Sequence, residues 1–515
     1  MTLLTEQPHS PGGDAATVKP PAVGRGFAKG VLALSGGTLL AQAITVLSSP
    51  IKLRLFEPQA FGVLAAFNSV IAILVLVGGL SYELAIVIPK RDEDAANLLA
   101  FCVSSITVLV TLLVVVVWWT GGTLLAWVGQ DVLVPYAWWL CLGIGAAALT
   151  APLRYWMTRR KRFTGLALVR VLVASVIAIG SIGAGVLGWQ RGVHLIRAQV
   201  AGVLCGAVLL AVWVIRRDRA LLAIHVSRAG IGRMVRRYRK FPLVITWSAL
   251  IGQGSKELPT LLLTGFFGPG VTGLYAMARA VLLLPFNLFG MAISQVFLQR
   301  AGASRGDRSA MADLTSGVAR RLITVALLPV VVIALAGPPL FAVCFGAKWT
   351  QAGMYAAILS MSLAGMFVGG PLGQLFVVME RQITLLLLTI SALVARIGML
   401  TLGGLVLHDI VWTLTLFSLV GLLLGLVQLA ICMRLTGAKW RPVGRHTLLH
   451  ILFLLPSAGM IAVARFAAHL SAPYLAATCV VAVVPYVLLV LRHDRQLRDV
   501  IYSLLPRRRA RTSAS

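Results

Sequence analysis

The sequence predicts an all-α, polytopic membrane protein of about fourteen transmembrane helices. Of its 515 residues, 59% are hydrophobic and only 12% are charged, and the mean hydropathy is +0.91. Fourteen apolar stretches approach the roughly 20 residues that an α-helix needs to cross a bilayer. The basic residues between them are distributed very unevenly. A chain of this composition has too little polar surface to cover a water-soluble fold.

The spans are predicted to be helical because, within lipid, only helices and closed barrels satisfy every backbone polar group. In chain order, the predicted spans 1 to 14 are 31–50, 60–88, 96–119, 132–153, 164–187, 198–215, 241–265, 272–298, 322–343, 353–378, 383–406, 410–433, 447–468 and 474–491.

The orientation follows from the Lys and Arg residues, which are retained in cytoplasmic loops. With the N-terminus inside, 36 of the 46 basic residues fall on the cytoplasmic side and five lie within spans. The outside loops contain only Lys52, Arg54, Arg191, Arg197 and Lys348. We therefore expect a multi-pass protein of the cytoplasmic membrane with both termini cytoplasmic. Because the net charge of +30 is spread over these short loops, it does not indicate a nucleic-acid partner.

Three segments outside the spans complete the predicted organisation. Residues 1–30 are expected to form a disordered cytoplasmic tail and 492–515 a basic cytoplasmic tail. In the linker 216–240, apolar side chains alternate with arginines, a pattern typical of an interfacial helix on an anionic leaflet. A solvated basic linker is the alternative interpretation.

An internal repeat divides the spans into two lobes. A shift of 211 residues aligns Gln42 with Gln253, and the same shift aligns two Pro/Gly positions, Pro58 with Pro269 and Gly62 with Gly273. Transporters often consist of two such related bundles. The repeat predicts two pseudo-symmetric six-helix lobes, 31–215 and 241–433, followed by a pair of helices at 434–491.

Ionisable residues inside the spans are the candidate functional residues, because a charge is costly there. Arg279 in span 8 and Lys256 and Glu257 in span 7 are predicted to lie at comparable depth. An anionic ligand could displace Glu257 from Arg279, or the two could form a permanent structural ion pair. Arg396 falls near the middle of span 11, where its guanidinium could bind a phosphate or form a helix–helix hydrogen bond.

Two further residues are weaker candidates. Arg54 ends span 1, where it could line the mouth of the same cavity or extend to the interface. Glu83 and Glu257 could couple transport to an ion gradient, although Glu83 lies near enough to the membrane surface to be merely anchored there. The six cysteines show no metal-like spacing, so we predict neither a metal site nor a cofactor.

Several motifs make the chain recognisable. The segments Arg54–Gly62 (RLFEPQAFG), Tyr82–Pro89 (YELAIVIP) and Phe345–Gly353 (FGAKWTQAG) resemble those of bacterial Wzx-like oligosaccharide flippases, which are polysaccharide-export proteins of the MATE-like MOP superfamily. The similarity extends over roughly residues 30–435. It implies an alternating-access carrier in which a cationic cavity between two lobes admits the pyrophosphate and sugars of an undecaprenyl-linked unit.

The resemblance also sets the expected partners and the alternatives. The partners would be the lipid-linked oligosaccharide, membrane lipids, a polysaccharide polymerase and glycosyltransferases. Fourteen spans are also found in lipid II flippases, so lipid II is an alternative cargo. A multidrug or cation antiporter of the same fold should have an acidic cavity, whereas the charges within these spans are mainly basic. An enzyme is not expected, because neither a large outside loop nor a carboxylate-rich motif is visible.

Overall fold

The computed structural model describes residues 25–286, 291–468 and 470–493. Within these ranges the regular structure consists of helices alone. The first half contains α1 (Arg25–Leu55), α2 (Pro58–Gly79), α3 (Tyr82–Ala85), α4 (Asp92–Thr120), α5 (Thr123–Trp127), α6 (Ala137–Arg159), α7 (Phe163–Val186), α8 (Gly192–His225) and α9 (Arg228–Arg237). The second half contains α10 (Thr246–Pro285), α11 (Met291–Ala303), α12 (Arg308–Phe345), α13 (Thr350–Leu372), α14 (Gln374–Val378), α15 (Gln382–Leu402), α16 (Ile410–Thr436), α17 (Trp440–Ala462) and α18 (Ala472–His493).

These helices confirm the predicted polytopic, all-α fold. Thirteen helical stretches in the described residues are long and apolar enough to cross a membrane. Twelve of them correspond one to one to predicted spans, and the thirteenth, Phe241–Leu284, contains span 7 and the first half of span 8, whose last residues lie in α11. Helix α1 begins at Arg25, six residues before predicted span 1. The rest of the predicted N-terminal tail and nearly all of the basic C-terminal tail lie outside the described residues.

A sharp bend divides α10 into two arms. Gly268 has φ 79° and ψ 174°, a conformation that is essentially restricted to glycine. Thr272 Oγ1 donates a hydrogen bond of 3.1 Å to Thr264 Oγ1, although eight residues of a straight helix would span about 12 Å. The two arms of α10 therefore fold back on each other; the first corresponds to span 7 and the second to the first half of span 8.

Close backbone contacts join the helices of the second half. A Cβ on Gly337 of α12 would lie 2.4 Å from the carbonyl oxygen of Gly353 on α13, and a Cβ on Gly425 of α16 would lie 2.3 Å from that of Gly365 on α13. Small residues allow membrane helices to approach this closely. In the first half, α1 packs on α7 and α6 packs on α8, while the terminal pair α17 and α18 packs on α12.

The halves meet where α2 and the second arm of α10 begin. A Cβ on Gly62 would lie 1.7 Å from the carbonyl oxygen of Pro269, and a Cβ on Gly273 would lie 1.8 Å from that of Pro58. These are the four Pro/Gly residues that the 211-residue shift aligned, and the contacts between the two Pro/Gly pairs are reciprocal. We call the contact among Pro58, Gly62, Pro269 and Gly273 the closed end of the bundle.

Polar contacts reinforce the closed end. Lys348 Nζ lies 3.2 Å from Glu57 Oε1 and donates to the carbonyl oxygen of Arg54 at 3.1 Å. Trp349 is fully buried, and its Nε1 donates to the carbonyl oxygen of Leu53 at 2.8 Å. These contacts hold the turn between α12 and α13 against the turn between α1 and α2, in the other half of the chain.

The structure divides the predicted linker 216–240 into two helical parts. Residues 216–225 continue α8 instead of forming a linker, and α9 follows after a short break. Ser227 caps α9 by accepting a hydrogen bond from the Gly230 amide at 3.0 Å. Gly230 and Met234 are buried, whereas all four arginines of α9 are exposed, so this part has the predicted amphipathic form.

The extension of α8 buries an acidic residue that the sequence analysis did not single out. Asp218 accepts hydrogen bonds of 2.6 and 2.7 Å from Arg162 and one of 2.9 Å from Trp156 Nε1. Its side chain is 2% exposed. The buried carboxylate therefore joins α8 to α6 and to the start of α7. This contact lies at the end of the bundle opposite the closed end.

Replacing Asp218 by Asn should destabilise the protein, because Arg162 would keep its charge without its partner. Breaking one side of a buried ion pair typically costs about 3–5 kcal/mol. We expect a clearly lower thermal unfolding temperature in detergent. Asp131→Asn is the matched control, since Asp131 is exposed. Equal unfolding temperatures for the two variants would show that the Asp218 network contributes little.

Candidate functional site

An ion pair joins the two arms of α10. Arg279 Nη1 lies 3.8 Å from Glu257 Oε2. Each residue is eleven positions from the bend at Gly268, so both lie about 16 Å from it along their arms. The two residues are therefore equally far from the bend. At 3.8 Å the pair is longer than a hydrogen bond, and both side chains remain partly accessible, at 29% and 17% exposed for Arg279 and Glu257.

Glu257 also connects the two halves of the chain. Ser69 on α2 donates a hydrogen bond of 2.8 Å to the same oxygen, Oε2, that faces Arg279. Gln253, one turn earlier on α10, donates to Oε1 at 3.2 Å. The carboxylate is thus held by two neutral hydrogen bonds and one longer charged contact. Arg279 is the partner that a competing anion could remove with the least geometric disturbance.

Arg396 lies on α15, beside the same part of α10. Its guanidinium carbon is 5.8 Å from the ring centre of Phe417 on α16, a cation–π distance. Its Nε is buried and has no hydrogen-bond partner among the described residues. A buried, unused donor on a permanent charge is costly. The arginine is therefore fixed by its aromatic neighbour while keeping donor capacity for a ligand.

Tyr275 is a neighbour that Glu257, Arg279 and Arg396 share. It is 3% exposed and lies one turn before Arg279 on α10. Arg279, Arg396 and Glu257 are all near enough for their charges to act on its hydroxyl. We call Ser69, Glu257, Tyr275, Arg279 and Arg396 the arginine cluster. The sequence analysis missed Ser69 and Tyr275, although the four-residue spacing of Tyr275 and Arg279 marks neighbours on one helix face.

Two predicted residues are not part of the arginine cluster. Lys256 is exposed and forms no salt bridge within the described residues, because it points to a different side of α10 from Glu257. Arg54 is exposed at the closed end, where its Nη2 lies 3.5 Å from the carbonyl oxygen of Val343 on α12. Its contacts join the two halves and do not extend to Arg279.

Glu83, the second candidate for ion coupling, lies away from the cluster. It sits in α3, directly after the end of α2 that is opposite the closed end. Its Oε2 is buried and has no hydrogen-bond partner among the described residues. A Cβ on Gly79 would lie 2.3 Å from this oxygen, and the charge of Arg154 acts on the carboxylate. The two acidic candidates therefore occupy separate places in the fold.

Comparison with known families gives one match. A family model described as polysaccharide biosynthesis protein matches residues 53–353. This range includes the closed end and, from the arginine cluster, Ser69, Glu257, Tyr275 and Arg279, whereas Arg396 lies beyond it. No curated protein matches the chain.

Solved structures share the fold at low sequence identity. A lipid II flippase, MurJ, in an inward closed conformation is 13% identical with a TM-score of 0.66, covering 90% of this chain and 99% of its own. A multidrug resistance MATE family transporter of the MOP superfamily in an inward-facing conformation is 17% identical with a TM-score of 0.62, covering 77% and 94%. A MOP superfamily transporter from Pyrococcus furiosus is 15% identical with a TM-score of 0.51, covering 80% and 96%. The fold is that of MOP superfamily transporters.

Proposed function

The chain belongs to the polysaccharide biosynthesis protein family, and from that premise we propose that it is a flippase for undecaprenyl-pyrophosphate-linked oligosaccharides. It would move its cargo across the cytoplasmic membrane by alternating access, with both termini cytoplasmic, for surface polysaccharide synthesis. The glycosyltransferases that build the unit and the polymerase that extends it would be its partners. The family and the MOP fold support the coarse function, and the arginine cluster supports an anionic cargo.

The observation that carries the proposal is the state of the two arginines in the cluster. Arg279 faces its carboxylate at 3.8 Å, and the Nε of Arg396 is buried with no protein acceptor in the described part of the chain. A pyrophosphate has two charged groups and many acceptor oxygens, so it could bind both guanidinium groups at once. In this role Glu257 competes with the cargo for Arg279.

The mechanism follows from the contacts of Glu257. When a pyrophosphate takes Arg279, the carboxylate keeps only the neutral donors Ser69 and Gln253, and Ser69 lies on the other half of the chain. Cargo binding would thereby remove the charged partner from the carboxylate through which Glu257 contacts the other half at Ser69. A ligand shifts a conformational equilibrium only through such differential contacts. Glu257 and Glu83 remain the candidates for coupling this change to an ion gradient.

Deletion of the gene tests the proposed cargo. We expect surface polysaccharide to be lost and undecaprenyl-pyrophosphate-linked units to accumulate on the inner leaflet, measured by mass spectrometry of extracted lipids. The chain supplied on a plasmid should restore both properties. Normal polysaccharide with accumulated lipid II would instead identify a lipid II flippase. Increased sensitivity to cationic drugs, with both lipids normal, would identify a multidrug antiporter.

A further inference from the structure

A polar cavity lies in the first half of the chain. It has a volume of about 510 Å³ between α1, α6, α7 and α8. One wall is apolar and comes mainly from α7 and α8. The polar side chains are Thr38, Gln42 and Thr45 on α1, Thr150 and Arg154 on α6, and Arg170, which lies on α7 among the apolar residues. Apart from Ser69 on α2, the arginine cluster comes from helices of the second half, so this cavity is a separate place in the fold.

The cavity is positively charged. Arg154 and Arg170 are near enough for their charges to act on each other. Neither arginine forms a salt bridge with any described residue. The acidic neighbour is Glu83, whose carboxylate lies near enough to Arg154 for the two charges to interact. Two guanidinium groups facing one cavity repel each other unless an anion lies between them. A ligand of negative charge is therefore favoured.

The hydroxyl groups of the cavity act as acceptors. Thr38, Thr45 and Thr150 each donate their proton to the carbonyl oxygen four residues earlier, at 2.7, 2.9 and 2.8 Å. Their oxygens keep lone pairs, and that of Thr38 accepts a hydrogen bond from Arg170. Donors in the cavity thus come from the arginines and the amide of Gln42, whereas the remaining threonines offer acceptors to a ligand that carries hydroxyl groups.

We infer that this cavity binds a phosphate group whose neighbouring atoms carry hydroxyl groups. The phosphate would lie between Arg154 and Arg170, the hydroxyl groups would donate to Thr45 and Thr150, and the carbon skeleton would face the apolar wall. Two sources share this chemistry: the headgroup of phosphatidylglycerol, entering from the bilayer, and a soluble sugar phosphate. The inference goes beyond the proposed function, because it does not require that the bound molecule be the transported cargo.

Two binding measurements on the full-length protein in nanodiscs test the inference. In nanodiscs of phosphatidylcholine, glucose 1-phosphate is titrated by calorimetry, with glucose as the neutral comparison. In nanodiscs that also contain phosphatidylglycerol, native mass spectrometry counts the retained lipids. We expect one ligand to bind and Arg170→Gln and Arg154→Gln each to weaken it about tenfold or more, because a charge-assisted contact is lost. Arg216→Gln is the matched control, since Arg216 is exposed on α8 outside the cavity.

Each outcome has one meaning. Retention of phosphatidylglycerol that depends on the arginines identifies the lipid source, and arginine-dependent binding of glucose 1-phosphate identifies the soluble source. Arg170→Lys should preserve most of the binding, which separates a charge effect from misfolding. Failure of both ligands to bind the native chain, or equal binding in Arg170→Gln and Arg216→Gln, would overturn the inference. None of these measurements depends on transport, so the proposed function can fail without affecting them.

Discussion

Replacing Arg396 by Gln should reduce transport of the lipid-linked oligosaccharide by roughly a hundredfold or more. A guanidinium that binds a phosphate with two donors loses both charge-assisted hydrogen bonds in this variant, and each contributes about 1.5–3 kcal/mol. Arg279→Gln should have a comparable effect, because it removes the second charge from the same group. The measurement is the rate at which a fluorescent lipid-linked oligosaccharide changes leaflet in proteoliposomes.

Matched variants distinguish a role in binding from a general loss of structure. Arg381→Gln makes the same chemical change at an exposed residue immediately before α15 and should leave transport normal. Arg396→Lys keeps the charge but not the paired donors, so we expect intermediate transport. Native rates in both Arg279→Gln and Arg396→Gln, at native protein levels, would remove the arginine cluster from the mechanism.

Glu257→Gln should strengthen cargo binding, whereas the two arginine variants should weaken it. Without the carboxylate, Arg279 has no charged competitor, so the cargo should bind more tightly and leave more slowly. We expect both KM and kcat to fall in the same proteoliposome assay. A permanent structural ion pair would instead give a less stable protein with an unchanged KM. This variant therefore decides between the two interpretations that the sequence left open.

The second large effect is expected at the closed end. Gly62→Ala should prevent closure, because the added methyl group would lie 1.7 Å from the carbonyl oxygen of Pro269. Overpacking by one methyl group costs about 1–3 kcal/mol where side chains can adjust, and here the obstacle is backbone. A cost of about 3 kcal/mol shifts a conformational equilibrium by roughly a hundredfold. Transport should fall accordingly, and Gly273→Ala should reproduce the defect.

Gly270 provides the control for this prediction. It lies between Pro269 and Gly273, yet a Cβ there meets nothing within 4 Å, so Gly270→Ala should transport normally. Spin labels at Gln59→Cys and Gln351→Cys, both exposed, would report the separation of the halves. For these labels, Cys205 and Cys344, which are not buried, are replaced by Ser. Equal label distances in Gly62→Ala and Gly270→Ala would refute the proposed role of the glycine contact.

The sequence analysis placed Glu257 and Arg279 close together for a simple reason. Glu257 and Arg279 lie on two apolar spans that a short turn joins. Counting residues from that turn therefore predicts that they lie at similar depth. The same counting cannot show direction around a helix. Lys256, next to Glu257, points to another side, and Arg54 contacts the carbonyl oxygen of Val343 at the closed end.

The linker 216–240 shows a different limit. Its high density of arginine predicted an amphipathic segment at the membrane surface and not within a span. Helix α9 is amphipathic, as predicted. The first ten residues of the linker nevertheless extend α8, because Asp218 is buried against Arg162 and Trp156. Counting basic residues predicts the side of the membrane on which a segment lies. It does not show which acidic residue forms a buried ion pair.

The sequence alone determined the polytopic, all-α fold class, because hydropathy is a local property of the chain; the orientation and the two-lobe repeat stay predictions from the basic residues and from recurring Pro and Gly. The tertiary structure decided which of the charged residues meet. It brought Ser69 from the first half to Glu257, and it placed Gly62 against Pro269 and Gly273 against Pro58. Those contacts join residues 188 to 215 positions apart. They depend on how two bundles pack against each other, which no local pattern specifies.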